Sequence, residues 1–572
     1  MPLPRRTTVL LVAGVLAGSM VVGSIPADAA TTPRRIVTGW MPYWAAADAM
    51  QSVTDNSDLY TEINGFWHSA KGTATISNLE TDAQRAAAVT QAHTAHLKVY
   101  GTVVDGTGAG SMASTLRSPS KRLTHVRTLV NLAIDNHYDG IDLDYEGFAF
   151  HDIRATWAKT RPEWVAFVRQ LSSSLHKHGK KLAVSTPVIY DAGRTDSSGY
   201  WVYDWHGIAP YVDRLRIMAY DFSVSQPGPI APIAWVKSVI RFAVTQVPAS
   251  RVQLGVPTYG RNWVVSSRAG CPVDNMPDAT APTARQAEAL ATDNKATKHW
   301  DSTTQERWFT YRKTYSGHTS GGNPASCRVT RKVVFDDATA VLVRTRLVSQ
   351  YHLAGVALWA LGFDGAGQFA KLRTYARSVA KRTPVISLYA GDATYGHRIT
   401  VSAKVTSMGG SPAKDLAWKL QFASTGGGWK TIARGRTSPT GALKFSRMPT
   451  SSGSYRLLVS GSWWYASGVS KANSSSVAIA VVASFSSASV RHGHAVVLRG
   501  QAKPARKGLL VERQVRQDGA WQTVSSAHTS STGAFSFRVT PPRKATYAYR
   551  VVVHSDGHRS TGYSTRLTLH AT

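Results

Sequence analysis

Between Arg35 and Arg382, eight short apolar, β-branched runs alternate with longer stretches carrying apolar residues at helical spacing. One of these runs bears three carboxylates at alternate positions, and beyond Pro384 the helical pattern gives way to short strands that repeat once. These observations predict an α/β chain: a (β/α)8 TIM barrel with a small α+β insertion, followed by two all-β immunoglobulin-like sandwich domains.

The eight strands are expected at Ile36–Trp40, Glu62–Phe66, Lys98–Val104, Gly140–Glu146, Leu182–Thr186, Leu215–Tyr220, Gln253–Pro257 and Gly355–Trp359. Amphipathic stretches such as Thr81–His96, Lys121–Asn136 and Arg161–His178 lie between them, as crossover helices should. No GxGxxG turn follows the first strand, which argues against an open dinucleotide-binding sheet. The gap from about 264 to 345 is too long for one helix, so it must hold an inserted subdomain. Within it, Trp308–Tyr311 and Lys332–Phe335 read as a hairpin. The two cysteines of the chain, Cys271 and Cys327, flank that hairpin; an even count in an exported protein permits one disulfide.

The sandwiches are expected at 384–480 and 481–572, after a catalytic unit spanning 30–382. The run around Trp429, Gly441 and Tyr455 recurs around Trp521, Gly533 and Tyr549, with a 92-residue period between the tryptophans and 12 residues from Trp to Gly in each copy. That regularity marks a duplication. Trp463, Trp464 and Tyr465 in the first copy are candidates for exposed, sugar-stacking rings.

At the other end, Arg5-Arg6, the apolar stretch Val9–Val22 and the small-residue site Ala27-Asp28-Ala29 have the build of a signal peptide over 1–29. The mature, secreted protein is expected to begin at Ala30, with no stable membrane insertion; the paired arginines leave both the general and the twin-arginine route open. The formal charge is +32, and residues 384–572 carry more than half of it, with 24 Lys and Arg against 5 Asp and Glu. On an exported protein such a tail suits an anionic surface such as a cell wall, or serves solubility alone. Nucleic acid is not expected, because the basic residues are scattered.

The chemistry lies in Asp139-Gly-Ile-Asp142-Leu-Asp144-Tyr-Glu146. Strand alternation puts Asp142, Asp144 and Glu146 on one face and Asp139 with the Tyr145 ring on the other. In a barrel that shared face is the lumen, and Glu146 falls at the carboxyl end where such enzymes build their sites. Three stacked carboxylates cannot all stay ionised cheaply, so one should keep its proton near neutral pH and serve as an acid. Oxygen ligands of this kind would also suit calcium or magnesium, but no metal or other cofactor is expected. Apolar Ile141 and Leu143 between the acids indicate a buried strand.

The acidic string resembles the DxxDxDxE signature of family 18 glycoside hydrolases, the chitinase family. Met218-Ala-Tyr220-Asp221 resembles that family's sixth-strand motif, and Leu254–Arg261, with Tyr259 and Arg261, its seventh. Val334–Asp337 and Leu353–Trp359 resemble the end of its insertion and its last strand. The resemblance covers about residues 35–380. It implies a retaining mechanism in which the substrate's own 2-acetamido oxygen is the nucleophile. Glu146 would be the proton donor and later the base, Asp144 would orient the acetamide, Asp142 would share a proton with Asp144, and Tyr220 would donate to the acetamide oxygen. Asp221, Met218, Tyr259 and Arg261 would line the sugar site, and Trp359 would form its floor.

Trp40, Tyr43, Trp44, Trp67, Tyr190 and Trp263 are candidates for stacking on sugars. Tyr145, Gly147 and Phe148 stand where chitin-degrading members often carry Trp and Pro around the acid. Gly39-Trp40-Met41 replaces their paired tyrosines, and both departures argue against crystalline chitin. The leading expectation is a monomeric glycosidase cutting β-1,4 bonds at N-acetylglucosamine in chitin or its oligomers. Its alternatives are the same chemistry on peptidoglycan and a chitinase-like protein that binds sugar without cleaving it.

Overall fold

In the computed structural model, residues 32–266 and 268–572 are described; the expected leader at 1–29 lies outside them. Eight parallel strands close on themselves: β1 (Val37–Pro42), β2 (Glu62–Ala70), β3 (Lys98–Asp105), β4 (Gly140–Asp144), β5 (Lys181–Thr186), β6 (Arg214–Ile217), β7 (Val252–Pro257) and β8 (Gly355–Trp359). Each pairs with its neighbour in sequence, and β1 closes the ring by pairing Val37 with Val356 of β8 and Trp40 with Asn64 of β2. This is the expected (β/α)8 barrel. The strands are buried on both faces because helices such as Asp82–Thr94, Pro119–Asp135, Trp157–Lys177 and Ile233–Gln246 cover the outside.

Local chemistry starts those helices where the barrel needs them. The Thr81 hydroxyl accepts from the Gln84 amide, and Ser118 caps a helix with Pro119 at its first position. The helix Ala338–Thr345 is capped by Asp337, whose carboxylate accepts the amides of Thr339 and Ala340, both at 2.9 Å.

The insertion is built on a longer hairpin than the two short runs suggested. Glu306–His318 pairs with Pro324–Phe335, and Gly260–Val264 joins the sheet against Arg331–Phe335. Its sheet thus starts at Gly260, and the helix Ala338–Thr345 belongs to the barrel, where Val341 is fully buried in the core. Cys271 and Cys327 form a disulfide with Cα atoms 5.3 Å apart, tying the loop after Val264 to the hairpin.

After the helix Gln368–Ser378, further β-sheet units follow. In the first, strands at 384–390, 399–407 and 442–447 face strands at 417–424, 430–436 and 453–459 across a core containing Val401, Val405, Leu420 and Leu457. In the second, strands at 480–485, 496–503 and 534–539 face strands at 510–517, 520–528 and 545–553 across Leu498, Val511, Val551 and Leu569.

The expectation that Trp463, Trp464 and Tyr465 are exposed is wrong. Trp463 donates its indole N–H to the Leu353 carbonyl at 3.0 Å and stacks on His352 with centroids 5.5 Å apart. The Arg34 guanidinium lies 3.7 Å over its ring. Trp464 is half-buried and its carbonyl takes the Arg382 amide, while Tyr465 is buried in the core of the first sheet unit. Trp463 and Trp464 dock that unit to the barrel end where β8 begins and Tyr465 fills the unit's own core, so apolar burial rather than sugar contact accounts for them.

Candidate active site

The lumen is polar where barrels are ordinarily filled with branched apolar side chains. Asp142, fully buried, accepts on one oxygen from Trp40 Nε1 (2.9 Å) and Thr102 Oγ1 (3.0 Å). On the other it accepts from Ser185 Oγ (2.8 Å) and pairs with Arg216, also 2.9 Å away. Arg216 is itself fully buried and spans the lumen to Glu62 (2.9 Å) and Gln253 (3.0 Å). A buried guanidinium is tolerated here because two carboxylates, Asp142 and Glu62, lie 2.9 Å from it.

Two expectations change on this geometry. Both oxygens of Asp142 are occupied by Trp40, Thr102, Ser185 and Arg216, so its hydrogen-bonding capacity is taken up by these four and not turned towards Asp144. Trp40 is 1% exposed and its N–H is bound to Asp142, so it holds the carboxylate and cannot stack on a sugar. Arg216, Ser185 and Thr102 were not anticipated. Arg214, Arg216 and Met218 alternate within an otherwise apolar run, and a charge on the lumen face is the signal that marked them.

Asp144 is 3% exposed, and one of its carboxylate oxygens has no hydrogen-bond partner among the described residues. Burial, and then the charges of Glu146 and Asp142, hold its pKa well above the ordinary value. β4 ends at Asp144, so strand alternation does not place Glu146. Glu146 instead sits at φ −85°, ψ −9°, capping the short helix Gly147–Phe150. The turn is held from behind: Tyr203 donates its hydroxyl to the Tyr145 carbonyl at 2.7 Å, and the Tyr145 hydroxyl meets His125 Nε2 at 2.6 Å. A Cβ at position 147 would lie 2.5 Å from an Asp105 carboxylate oxygen, so a larger residue there must displace that carboxylate. Burial, then the charge of Asp221, raises Glu146 to about 7.

Glu146 opens into a cavity of about 570 Å³, also lined by Met218, Tyr220, Asp221 and Arg261, with Tyr190, Tyr200 and Trp235 among its aromatic walls. Asp221 adopts φ +57°, a left-handed conformation that aspartate tolerates better than most non-glycine residues. Its carboxylate accepts from the Tyr259 hydroxyl (2.7 Å) and Arg261 (2.7 Å). Tyr259 thus acts through Asp221 from a buried position. Burial keeps the Tyr220 phenol protonated far above its usual range. Trp359 stands apart from this cavity wall, packed by Phe66 (5.0 Å), Trp40 (5.8 Å) and Trp44 (6.4 Å).

The six stacking candidates therefore divide. Trp40, Trp67 and Trp263 are buried packing, whereas Tyr43, Trp44 and Tyr190 are 39%, 55% and 38% exposed and free to meet a ligand. Asp139 lies outside the lumen as expected. Burial would raise it, but Lys98, the Val99 amide and His93 together hold it below its ordinary pKa. Among the described residues no three His, Cys, Asp or Glu side chains converge as a metal-binding group.

The family model described as Glycosyl hydrolases family 18 matches residues 38–364. The chain is 27% identical to a cortical fragment-lytic enzyme of Bacillus subtilis over 224 residues, 38% of this chain and 48% of that protein. It is 27% identical to the uncharacterized glycosylase YvbX of the same organism over 273 residues, covering 46% and 69% respectively. Mouse chitotriosidase-1 is 23% identical over 282 residues, covering 45% and 56%. The solved chitinase of Chromobacterium violaceum aligns with a TM-score of 0.49 and 22% identity, over 61% of this chain and all of that one. The chain spans about half the length of several of the curated relatives it matches. A family match over more than half the chain, on a closed barrel whose fourth strand leads buried Asp142 and Asp144 to Glu146, shows that this chain belongs to glycosyl hydrolases family 18.

Proposed function

We propose that the protein hydrolyses β-1,4 bonds at N-acetylglucosamine with the substrate's acetamide as nucleophile, and that its polymer is the glycan strand of peptidoglycan. The observation that carries the reaction is the pairing of Glu146, raised to about 7, with buried Asp144, whose free oxygen faces no protein donor. Glu146 delivers its proton to the glycosidic oxygen as the acetamide oxygen attacks C1. Asp144 accepts the acetamide N–H and offsets the charge on the oxazolinium ion. Tyr220 donates to the acetamide oxygen, and Glu146, now a base, takes a proton from the water that opens the ring. Asp221 and Arg261 hold the sugar from the cavity wall.

The match to a cortical fragment-lytic enzyme and the +32 charge support peptidoglycan, whose strands are anionic. The match to mouse chitotriosidase-1 supports a second reading, chitin oligomers. The reading includes export after cleavage of residues 1–29. The test is a product profile on purified peptidoglycan beside chitohexaose. New reducing N-acetylglucosamine ends from peptidoglycan are expected; cleavage of chitohexaose alone moves the substrate to chitin, and cleavage of neither removes the assignment.

A further inference from the structure

Away from the barrel, one set of four outward side chains occurs twice. In the first sheet unit Arg456 donates Nε–H to Gln421 at 2.8 Å, its guanidinium lies 4.3 Å over the Trp429 ring, and Gln421 reaches Thr431 at 3.4 Å. In the second, Arg550 donates to Gln514 at 2.7 Å, lies 4.7 Å over Trp521, and Gln514 reaches Thr523 at 3.1 Å. Gln and Arg stand directly opposite each other on antiparallel strands in both units.

The packing of the cores does not require this set, because all four side chains point away from them. Neighbouring outward positions have drifted: Lys419 beside the first set corresponds to Glu512 beside the second. Neither guanidinium has a carboxylate partner among the described residues. Each is fixed at Nε and against an indole, which leaves its terminal nitrogens as a planar fork of the kind that takes a carboxylate through two hydrogen bonds. The half-exposed tryptophan beside it offers apolar surface to a sugar ring. The surroundings are basic, with 24 Lys and Arg to 5 Asp and Glu over residues 384–572.

We propose that these are two copies of a binding site for the carboxylates of an acidic polysaccharide, engaged together by one polymer chain. The proposal stands apart from which glycan the barrel cuts. The two copies are unequal. At the first, Lys419 and Arg434 face each other across adjacent strands, a like-charge pair that an anion relieves. At the second, Glu512 accepts from Gln514 (3.1 Å) and Thr523 (2.9 Å) and repels a carboxylate.

The experiment is retention of the intact chain on immobilised polygalacturonate at low salt, with its neutral methyl ester and polyphosphate as parallel arms. Because two linked sites bind far more tightly than one, Arg456→Ala or Arg550→Ala alone should weaken retention about tenfold or more, the former more severely, and the double variant should not be retained. Arg456→Lys, which keeps the charge and loses the fork, should behave as Arg456→Ala. Lys404→Ala, exposed on the facing sheet, should change retention less than about twofold. Unchanged thermal midpoints establish that the variants fold. Undiminished retention of the double variant, an equal loss from Lys404→Ala, full rescue by Arg456→Lys, or binding to polyphosphate but not polygalacturonate would overturn the proposal.

Discussion

Glu146 needs its proton to act as an acid, and its carboxyl is raised to about 7 by burial and by Asp221. The value of kcat/KM should therefore fall about tenfold per unit above pH 7, and should fall again on the acid side as the raised Asp144 carboxylate takes up a proton, read from a pH–rate profile. Glu146→Gln should lower kcat by about 10²–10⁴ with a small change in KM. The same residue burdens the fold. Its folded pKa lies above the unfolded value of 4.5, so stability present at pH 4 is lost as pH rises through 7. Glu146→Gln should therefore stabilise the protein by about 3 kcal/mol at pH 8 and by nearly nothing at pH 4, checked by denaturant unfolding at both. Arg216→Met should do the reverse at every pH near neutrality. It strands Asp142 and Glu62 without a counter-charge and should cost about 3–5 kcal/mol together with activity.

Elements position these groups, and the turn after β4 is the one that sets Glu146. Tyr203→Phe removes only the hydroxyl that holds the Tyr145 carbonyl, and should lower kcat severalfold with about 1 kcal/mol lost in stability, while KM stays within a factor of two. The loop after β6 is pinned from the insertion: Glu306 accepts the amides of Ile230 (2.9 Å) and Ala231 (2.7 Å) and pairs with Arg344, which also meets Asp336 at 2.9 Å. Phe222 and Val224 of that loop line the cavity, so the insertion shapes its wall from a distance. The strand order of the barrel was legible because each βα unit writes its own period into the sequence. The conformation of Glu146 was not, because β4 stops two residues short of it and the αR turn depends on Tyr203, which comes from another part of the chain.

At the scale of the whole molecule, the first sheet unit is fastened to the barrel through Trp463, Arg34 and His352. Trp463→Ala should loosen that joint, speeding limited proteolysis near residue 382 and separating one calorimetric transition into two, while turnover of a short soluble oligosaccharide stays within about twofold. Sequence patterning offered Trp463, Trp464 and Tyr465 as candidate sugar-stacking rings, since clustered aromatic residues in a β unit look alike whether a ligand, a neighbouring domain or their own core covers them.

The sequence by itself determined the barrel, the acidic run from Asp142 to Glu146 and the duplication beyond Pro384. Periodicity and motif spacing are local properties, and each was complete within a few tens of residues. Only the tertiary structure decided that Asp142 is held by Trp40, Thr102, Ser185 and Arg216, that three of six candidate rings are buried, and that the Arg–Gln–Trp sets recur on outer sheet faces. Those facts depend on side chains from distant strands converging, and the free energy of a buried charge is set by neighbours that the order of residues does not name.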